Sequence, residues 1–204
     1  MDSEIKLPLG VGADVPDFTL ETYEPSDGNF STISLSDIQK AGKWTVLVFY
    51  PADFTFVCPT ELADLADQNV ALEEAGAKVV SVSADTKFCH LAWKSSERLL
   101  ENVTFTMAAD PNGKVSRMFG VYDESTGLAL RGTFIISPDG KLASSEVNFY
   151  NVGRDAGELL RKIKANAYIA EHPAEACPAK WQPGDKTLTP SEDMVGSVWE
   201  EFNS

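Results

Sequence analysis

The chain has 204 residues, of which 43% are hydrophobic and 24% charged, and it carries a formal net charge of −14. That length and apolar content support one substantial core, alone or with a working tail, and the charged fraction is that of a globular protein rather than a disordered one. The acidic balance argues against nucleic acid or an anionic membrane as partner, because phosphate contacts need Lys and Arg. No apolar run approaches the roughly 20 residues needed to span a bilayer. The opening MDSEIKLPLG has two acids and no apolar stretch, so it does not read as a secretory leader. The expected compartment is the cytoplasm, where reducing conditions favour a catalytic or redox-cycling thiol over a structural disulfide. Three scattered cysteines, none in a Cys-x-x-Cys pair, and two histidines predict neither a disulfide scaffold nor a structural metal site.

In chain order, Val15-Pro-Asp-Phe-Thr-Leu reads as a short extended segment and Ser34-Leu-Ser-Asp-Ile as a cap with a helical turn. Trp44-Thr-Val-Leu-Val-Phe-Tyr50 has the β-branched and aromatic pattern of a buried strand, ended by Pro51. From Pro59 the period changes: Leu62, Leu65, Ala66, Asn69 and Leu72 recur at three and four residues, one stripe of a helix. Residues 79–85 read as a second buried strand, 91–100 as a second helix, 105–110 as a third strand closed by Pro111-Asn-Gly, and 114–119 as a further helix. Thr133-Phe-Ile-Ile-Ser and residues 142–149 flank Pro138-Asp-Gly140, a hairpin signal. Residues 155–169 place Leu159, Leu160, Ile163 and Ala167 on one helical face. Strands alternating with helices, closed by a hairpin and a last helix, predict an α/β domain over residues 1–170 with a central mixed sheet flanked by helices. Beyond His172, proline-punctuated small and polar residues predict an extended C-terminal arm, residues 171–204, rather than a second domain.

Val57-Cys-Pro-Thr-Glu61 sets Cys58 at a strand-to-helix junction, just ahead of a proline suited to the first helical position. A thiol there faces unpaired backbone N–H groups and the positive end of the helix dipole, both of which favour the nucleophilic thiolate. Junctions at the carboxyl ends of strands are also where α/β sheets carry their active sites. From position alone, two readings of Cys58 stay open: a reactive thiol, and a small buried hydrophobe.

The wider stretch Phe49-Tyr-Pro-Ala-Asp-Phe-Thr-Phe-Val-Cys-Pro-Thr-Glu-Leu62 resembles the active-site segment of typical two-cysteine peroxiredoxins. Their signature is Pro, three residues, Thr, two residues, Cys; here these are Pro51, Thr55 and Cys58. The likeness continues through Arg131-Gly-Thr-Phe-Ile-Ile, Gly153-Arg-Asp and Glu175-Ala-Cys-Pro-Ala-Lys-Trp, and is nearest the bacterial alkyl hydroperoxide reductase C type. The resemblance implies a thioredoxin-like fold and a thiol peroxidase acting on hydrogen peroxide and organic hydroperoxides. It implies that Cys58 attacks the O–O bond and becomes a sulfenic acid, that Thr55 hydrogen-bonds thiolate and peroxide, and that Arg131 stabilises the thiolate and the leaving oxygen. Pro51 would limit solvent approach, and Glu61 would pair with Arg154 to set the first helical turn. Glu61 also occupies the place of the second thiol in Cys-Pro-x-Cys, which excludes local dithiol chemistry.

By the same resemblance Cys177 is the resolving cysteine, donated by the partner subunit of a head-to-tail homodimer that assembles further into a decamer. An exposed, mobile thiol in the arm suits condensation with a sulfenic acid. Cys89 is expected to be structural, since it and the adjacent His90 do not face each other on a helix. The chain lacks the Gly-Gly-Leu-Gly insertion and the C-terminal Tyr-Phe pair of peroxide-sensitive relatives, which implies resolution of the sulfenate before it overoxidises. No flavin or nicotinamide fingerprint is present, so no cofactor is expected and electrons come from another protein, a flavoprotein disulfide reductase or thioredoxin. Two other classes compete. One is an oligomeric holdase chaperone, which would survive replacement of Cys58; the other is a cysteine hydrolase pairing Cys58 with His90, which lacks a third orienting residue.

Overall fold

The computed structural model describes residues 8–203; the reading of the first seven residues as no secretory leader lies outside them. The chain divides into two compact units, one running up to Ala156 and one from Gly157. Among the described residues, no helix is long and apolar enough to cross a membrane.

The first unit opens with a hairpin of β1 (Thr19–Glu24) and β2 (Asn29–Ser34). It turns through Asp27-Gly28, where Gly28 takes a φ of +75° that a side chain would resist. The extended segment expected over residues 15–20 thus belongs to a hairpin, and the Asp27-Gly28 pair is the sequence signal that marks its turn. Ser34 then caps α1 (Leu35–Lys40), its hydroxyl accepting from the Asp37 amide at 3.1 Å. β3 (Trp44–Phe49), α2 (Cys58–Glu74), β4 (Ala77–Ser83), α3 (Lys87–Ser96), β5 (Thr106–Ala109) and α4 (Lys114–Met118) alternate as the pattern predicts. Two short strands, β6 (Tyr122–Asp123) and β7 (Leu128–Ala129), pair with each other before β8 (Arg131–Ile136) and β9 (Leu142–Asn148) close the unit.

Seven strands make one mixed sheet in the order β2-β1-β5-β4-β3-β8-β9. β3, β4 and β5 run parallel; β8 runs antiparallel beside β3. β3 is buried along its whole length, which is why its sequence is a β-branched and aromatic run, with Thr45 its one polar residue, rather than an alternation. Leu47, Phe49, Val80, Val82, Phe119 and Phe134 belong to the core, with the Phe119 and Phe134 rings 4.7 Å apart. The helix expected over 91–100 begins four residues earlier, because Thr86 caps it by accepting from the Cys89 amide at 3.4 Å. Glu97 is extended and ends it, leaving Arg98–Leu100 as a separate 3-10 turn.

Helix α5 (Ala156–Glu171) has its first residue at the end of the first unit and the rest in the second, where a segment low in helix follows it. That segment is tied back on itself: Ala176 and Leu188 exchange backbone hydrogen bonds of 2.8 and 3.0 Å. Trp181 is buried, its ring 5.0 Å from that of Tyr168, and its indole N–H donates to the Asp185 carbonyl at 3.1 Å. The chain ends in a 3-10 turn, Glu192–Met194, and a short helix α6 (Val198–Asn203).

Candidate active site

β3 delivers the chain to the site. The Tyr50 amide still bonds the Val82 carbonyl at 3.0 Å, and the buried Pro51, which has no N–H, then breaks the ladder. In the loop that follows, Phe54 adopts a left-handed φ of +56°, a strained conformation for an aromatic residue. Cys58 is itself the first residue of α2, one position earlier than the proline alone suggests. Val57 caps the helix with no side-chain hydrogen bond, and Pro59 has no N–H to offer. The sulfur therefore sits against the positive end of the helix with no capping side chain in competition. Cys58 is 0% exposed.

The antiparallel pairing of β8 with β3 brings Arg131 back to this junction. Arg131 is 4% exposed, so it is no surface cation. Its Nη1 donates to Cys58 Sγ at 3.4 Å and to Glu61 Oε2 at 2.5 Å, and its Nε donates to the Tyr150 carbonyl at 2.7 Å. Glu61 follows Cys58 by three residues and so shares its face of α2. Arg154 grips the same carboxylate from the other side, with Nε to Oε1 at 2.8 Å, Nη2 to Oε2 at 3.1 Å and its backbone N–H to Oε1 at 3.0 Å. Its Nη1 reaches the Gly132 carbonyl at 2.8 Å. Gly132 is required by close approach: a Cβ there would lie 2.7 Å from the Phe134 ring and 2.8 Å from Val121. One buried carboxylate between two guanidinium groups leaves a net positive charge beside the sulfur, an arrangement suited to a thiolate and to a developing oxyanion.

Thr55 behaves differently from expectation. Its hydroxyl donates to the Ala52 carbonyl at 2.8 Å, and among the described residues it makes no hydrogen bond to Cys58. With its one proton committed, the hydroxyl can only accept from a group arriving in the site. His90 is fully buried, and its ring nitrogens contact Asp53 and the Ala108 carbonyl rather than Cys58, which removes the geometry a cysteine hydrolase would need. Cys89 lies with Asp53 and Asp85 in a group whose ligand atoms fall within 4.8 Å of one another. Burial, followed by the charges of Asp53 and Asp85, pushes its thiol up to about 12. The Asp85 carboxylate already accepts from the Asp53 amide and the Ser83 hydroxyl, both at 2.8 Å, so these atoms are not arranged as a preformed metal cage.

Cys177 belongs to the second unit and is half-buried rather than exposed, with Sγ 4.0 Å from the Ala165 carbonyl oxygen. Burial and then the Glu175 charge hold its thiol above the ordinary value, Arg161 pulling the other way. Glu175 is fixed by the Tyr168 hydroxyl at 2.9 Å and by Thr187. Sequence reasoning missed the Tyr150 carbonyl that aims Arg131, since a backbone acceptor leaves no mark in the sequence. It also missed Asp53, although an acid inside an otherwise apolar motif was visible.

A family model described as the AhpC/TSA family matches residues 11–145, and one described as the C-terminal domain of 1-Cys peroxiredoxin matches residues 168–204. Alkyl hydroperoxide reductase C of Staphylococcus aureus is 46% identical over 188 residues, covering 92% of this chain and 98% of that protein. The crystal structure of Enterococcus faecalis AhpC superposes with a TM-score of 0.78 at 42% identity, covering 84% of this chain and 100% of the other. Reduced Plasmodium vivax 2-Cys peroxiredoxin gives a TM-score of 0.87 at 31% identity, covering 97% and 100%.

Proposed function

Given that the chain belongs to the AhpC/TSA family, has the thioredoxin-like peroxiredoxin fold and is a thiol peroxidase of the alkyl hydroperoxide reductase type, we propose that Cys58 reduces hydrogen peroxide and small organic hydroperoxides and that Cys177 resolves the product. One observation carries the assignment: a buried guanidinium, Arg131, donates to a buried sulfur at the start of a helix. The thiolate attacks the nearer peroxide oxygen in line. An S–O bond forms, the O–O bond breaks, sulfur gives up two electrons, and the departing oxygen leaves as an alcohol or water once protonated. Arg131 meets the charge on the departing oxygen, and Glu61 and Arg154 hold Arg131 in place. The Thr55 hydroxyl, already donating to Ala52, accepts the peroxide O–H and orients it. Pro51 walls the site without adding a donor.

The Cys177 thiol of the partner subunit in a homodimer, itself built into a decamer, then displaces water from the sulfenic acid and leaves a Cys58–Cys177 disulfide. In this reading residues 1–170 are the peroxidase domain and 171–204 the arm that carries Cys177. A flavoprotein disulfide reductase or thioredoxin restores both thiols, in the cytoplasm, with no cofactor held by this chain. Cys58→Ser decides the matter: peroxide consumption should vanish in a folded protein, and retained turnover would sink the assignment.

A further inference from the structure

The loop of residues 51–57 carries Thr55 and feeds Cys58, yet the residues that hold it lie outside the chemistry described above. Asp53, 6% exposed, is its inward-facing anchor. One carboxylate oxygen, Oδ1, accepts from the Tyr50 hydroxyl at 2.8 Å, and the other, Oδ2, lies 2.8 Å from Nδ1 of the wholly buried His90. The Asp53 amide donates to Asp85 at 2.8 Å, tying the loop to the turn after β4.

The proton positions follow from the partners. Nε2 of His90 lies 3.2 Å from the Ala108 carbonyl, which can only accept, so Nε2 bears a hydrogen. A neutral imidazole would then turn a bare Nδ1 toward a bare carboxylate oxygen at 2.8 Å, two acceptors in contact inside the core. A second proton must lie between Nδ1 and Oδ2. Tyr50 does not supply it: its hydroxyl is closer to Asp53 than to Nδ1, which is 3.3 Å away. Burial, then the Asp53 charge, holds the phenol well above its ordinary value, so it remains a donor. The neighbouring Cys89 stays a thiol for the same reasons, and Asp85 is occupied by Ser83 and the loop amide. The Trp93 ring packs 5.8 Å from Tyr50 and 6.3 Å from the strained Phe54, closing the group off.

We propose that Tyr50, Asp53 and His90 form a buried, proton-sharing set of positioning residues that holds the 51–57 loop in the shape peroxide reduction requires. The proposal rests on Cys58 being the peroxide-reactive thiol. Among the described residues none of the three has a hydrogen bond to the sulfur; they act through the loop, by fixing where Thr55 and Cys58 sit relative to Arg131. Misplacement of such groups by about 1 Å is enough to lower a rate about 100-fold.

The test compares two reactions of Cys58 in the full chain, oxidation by hydrogen peroxide and alkylation by iodoacetamide, which needs no oriented O–O bond. Asp53→Leu should lower the peroxide rate about 100-fold while alkylation changes less than about tenfold. Asp53→Asn, whose amide can donate to a neutral His90 and accept from Tyr50, should recover about tenfold of that loss. Tyr50→Phe, which removes one bond and little volume, should lower the peroxide rate by up to about tenfold, and it decides the matter if Asp53→Leu does not fold. An equal fall in both rates, an Asp53→Asn no better than Asp53→Leu, or an unchanged Tyr50→Phe overturns the proposal. If Cys58 were not the peroxide-reactive thiol, wild-type protein treated with peroxide would keep full iodoacetamide reactivity at Cys58, a result that needs none of these variants.

Discussion

Replacing Arg131 with methionine keeps the length and apolar stem of the side chain and deletes its charge. Three interactions go with it: Nη1 to Cys58 Sγ at 3.4 Å, Nη1 to Glu61 at 2.5 Å, and Nε to the Tyr150 carbonyl at 2.7 Å. Two unit charges at that sulfur distance attract by about 5 kcal/mol at an effective dielectric of about 20. Glu61, closer still to the same nitrogen, cancels part of this, so the effect on the transition state reduces to that of one well-placed donor, about 3–4 kcal/mol. The second-order rate with hydrogen peroxide should therefore fall about 10²- to 10³-fold. Glu61 keeps its three bonds to Arg154. The stability loss should thus stay below the roughly 3–5 kcal/mol of a fully abandoned buried ion-pair partner. Stopped-flow tryptophan fluorescence gives the rate and thermal unfolding by circular dichroism gives the stability. A folded Arg131→Met protein slowed by less than about tenfold would refute the reasoning, because the sulfur would then not depend on the guanidinium. Arg131→Lys should recover only part of the activity, since one ammonium cannot serve Cys58, Glu61 and Tyr150 in the same planar geometry.

Further outcomes concern the other thiols. Cys177→Ser should leave a Cys58 sulfenic acid trappable by dimedone and abolish the disulfide-linked dimer on non-reducing gels; a persisting linked dimer would contradict the assignment. Because burial and Glu175 raise the Cys177 thiol and the attacking form is the thiolate, resolution should quicken as pH rises past neutrality, without levelling off at the ordinary thiol value of about 8.5. Glu175→Gln removes one of those upward pushes and should speed resolution at neutral pH; an unchanged rate would show that the charge does not reach the sulfur. Cys89, pushed up to about 12, should resist iodoacetamide at neutral pH while Cys177 is labelled, and Asp85→Asn should lower that value and raise labelling of Cys89, as peptide mass spectrometry would show.

Much of the architecture was legible because burial leaves a periodic trace. The β-branched and aromatic run of β3 and the three- and four-residue spacing of α2 both reflect faces that must leave water. Boundaries were less legible: the start of α3 depends on one threonine hydroxyl, and the β1–β2 hairpin on one Asp-Gly pair. Cys58, Arg131, Glu61 and Arg154 could be chosen from the motif, but periodicity could not bring them together. Their meeting depends on β8 lying antiparallel to β3, a long-range pairing that no local pattern encodes. Thr55 shows the converse limit, for residue type announced a hydroxyl but not where its single proton would go. The arm was hardest, since its order comes from a few cross-ties, Ala176 to Leu188 and Trp181 to Asp185, with no repeat to reveal them.

The sulfur and the guanidinium that serves it are 73 residues apart in the chain, and Glu61 and Arg154 are 93 apart. A ribosome that has released only β3 and α2 has exposed a cysteine with no cation beside it and no walled pocket. Its electrostatic surroundings are completed only after β8 and Arg154 have emerged and the sheet has closed around them, the slow, non-local step of such a topology. On the proposed assignment, the setting that serves Cys58 is in this sense a late product of synthesis, for the guanidinium reaches the sulfur in the same event that buries it.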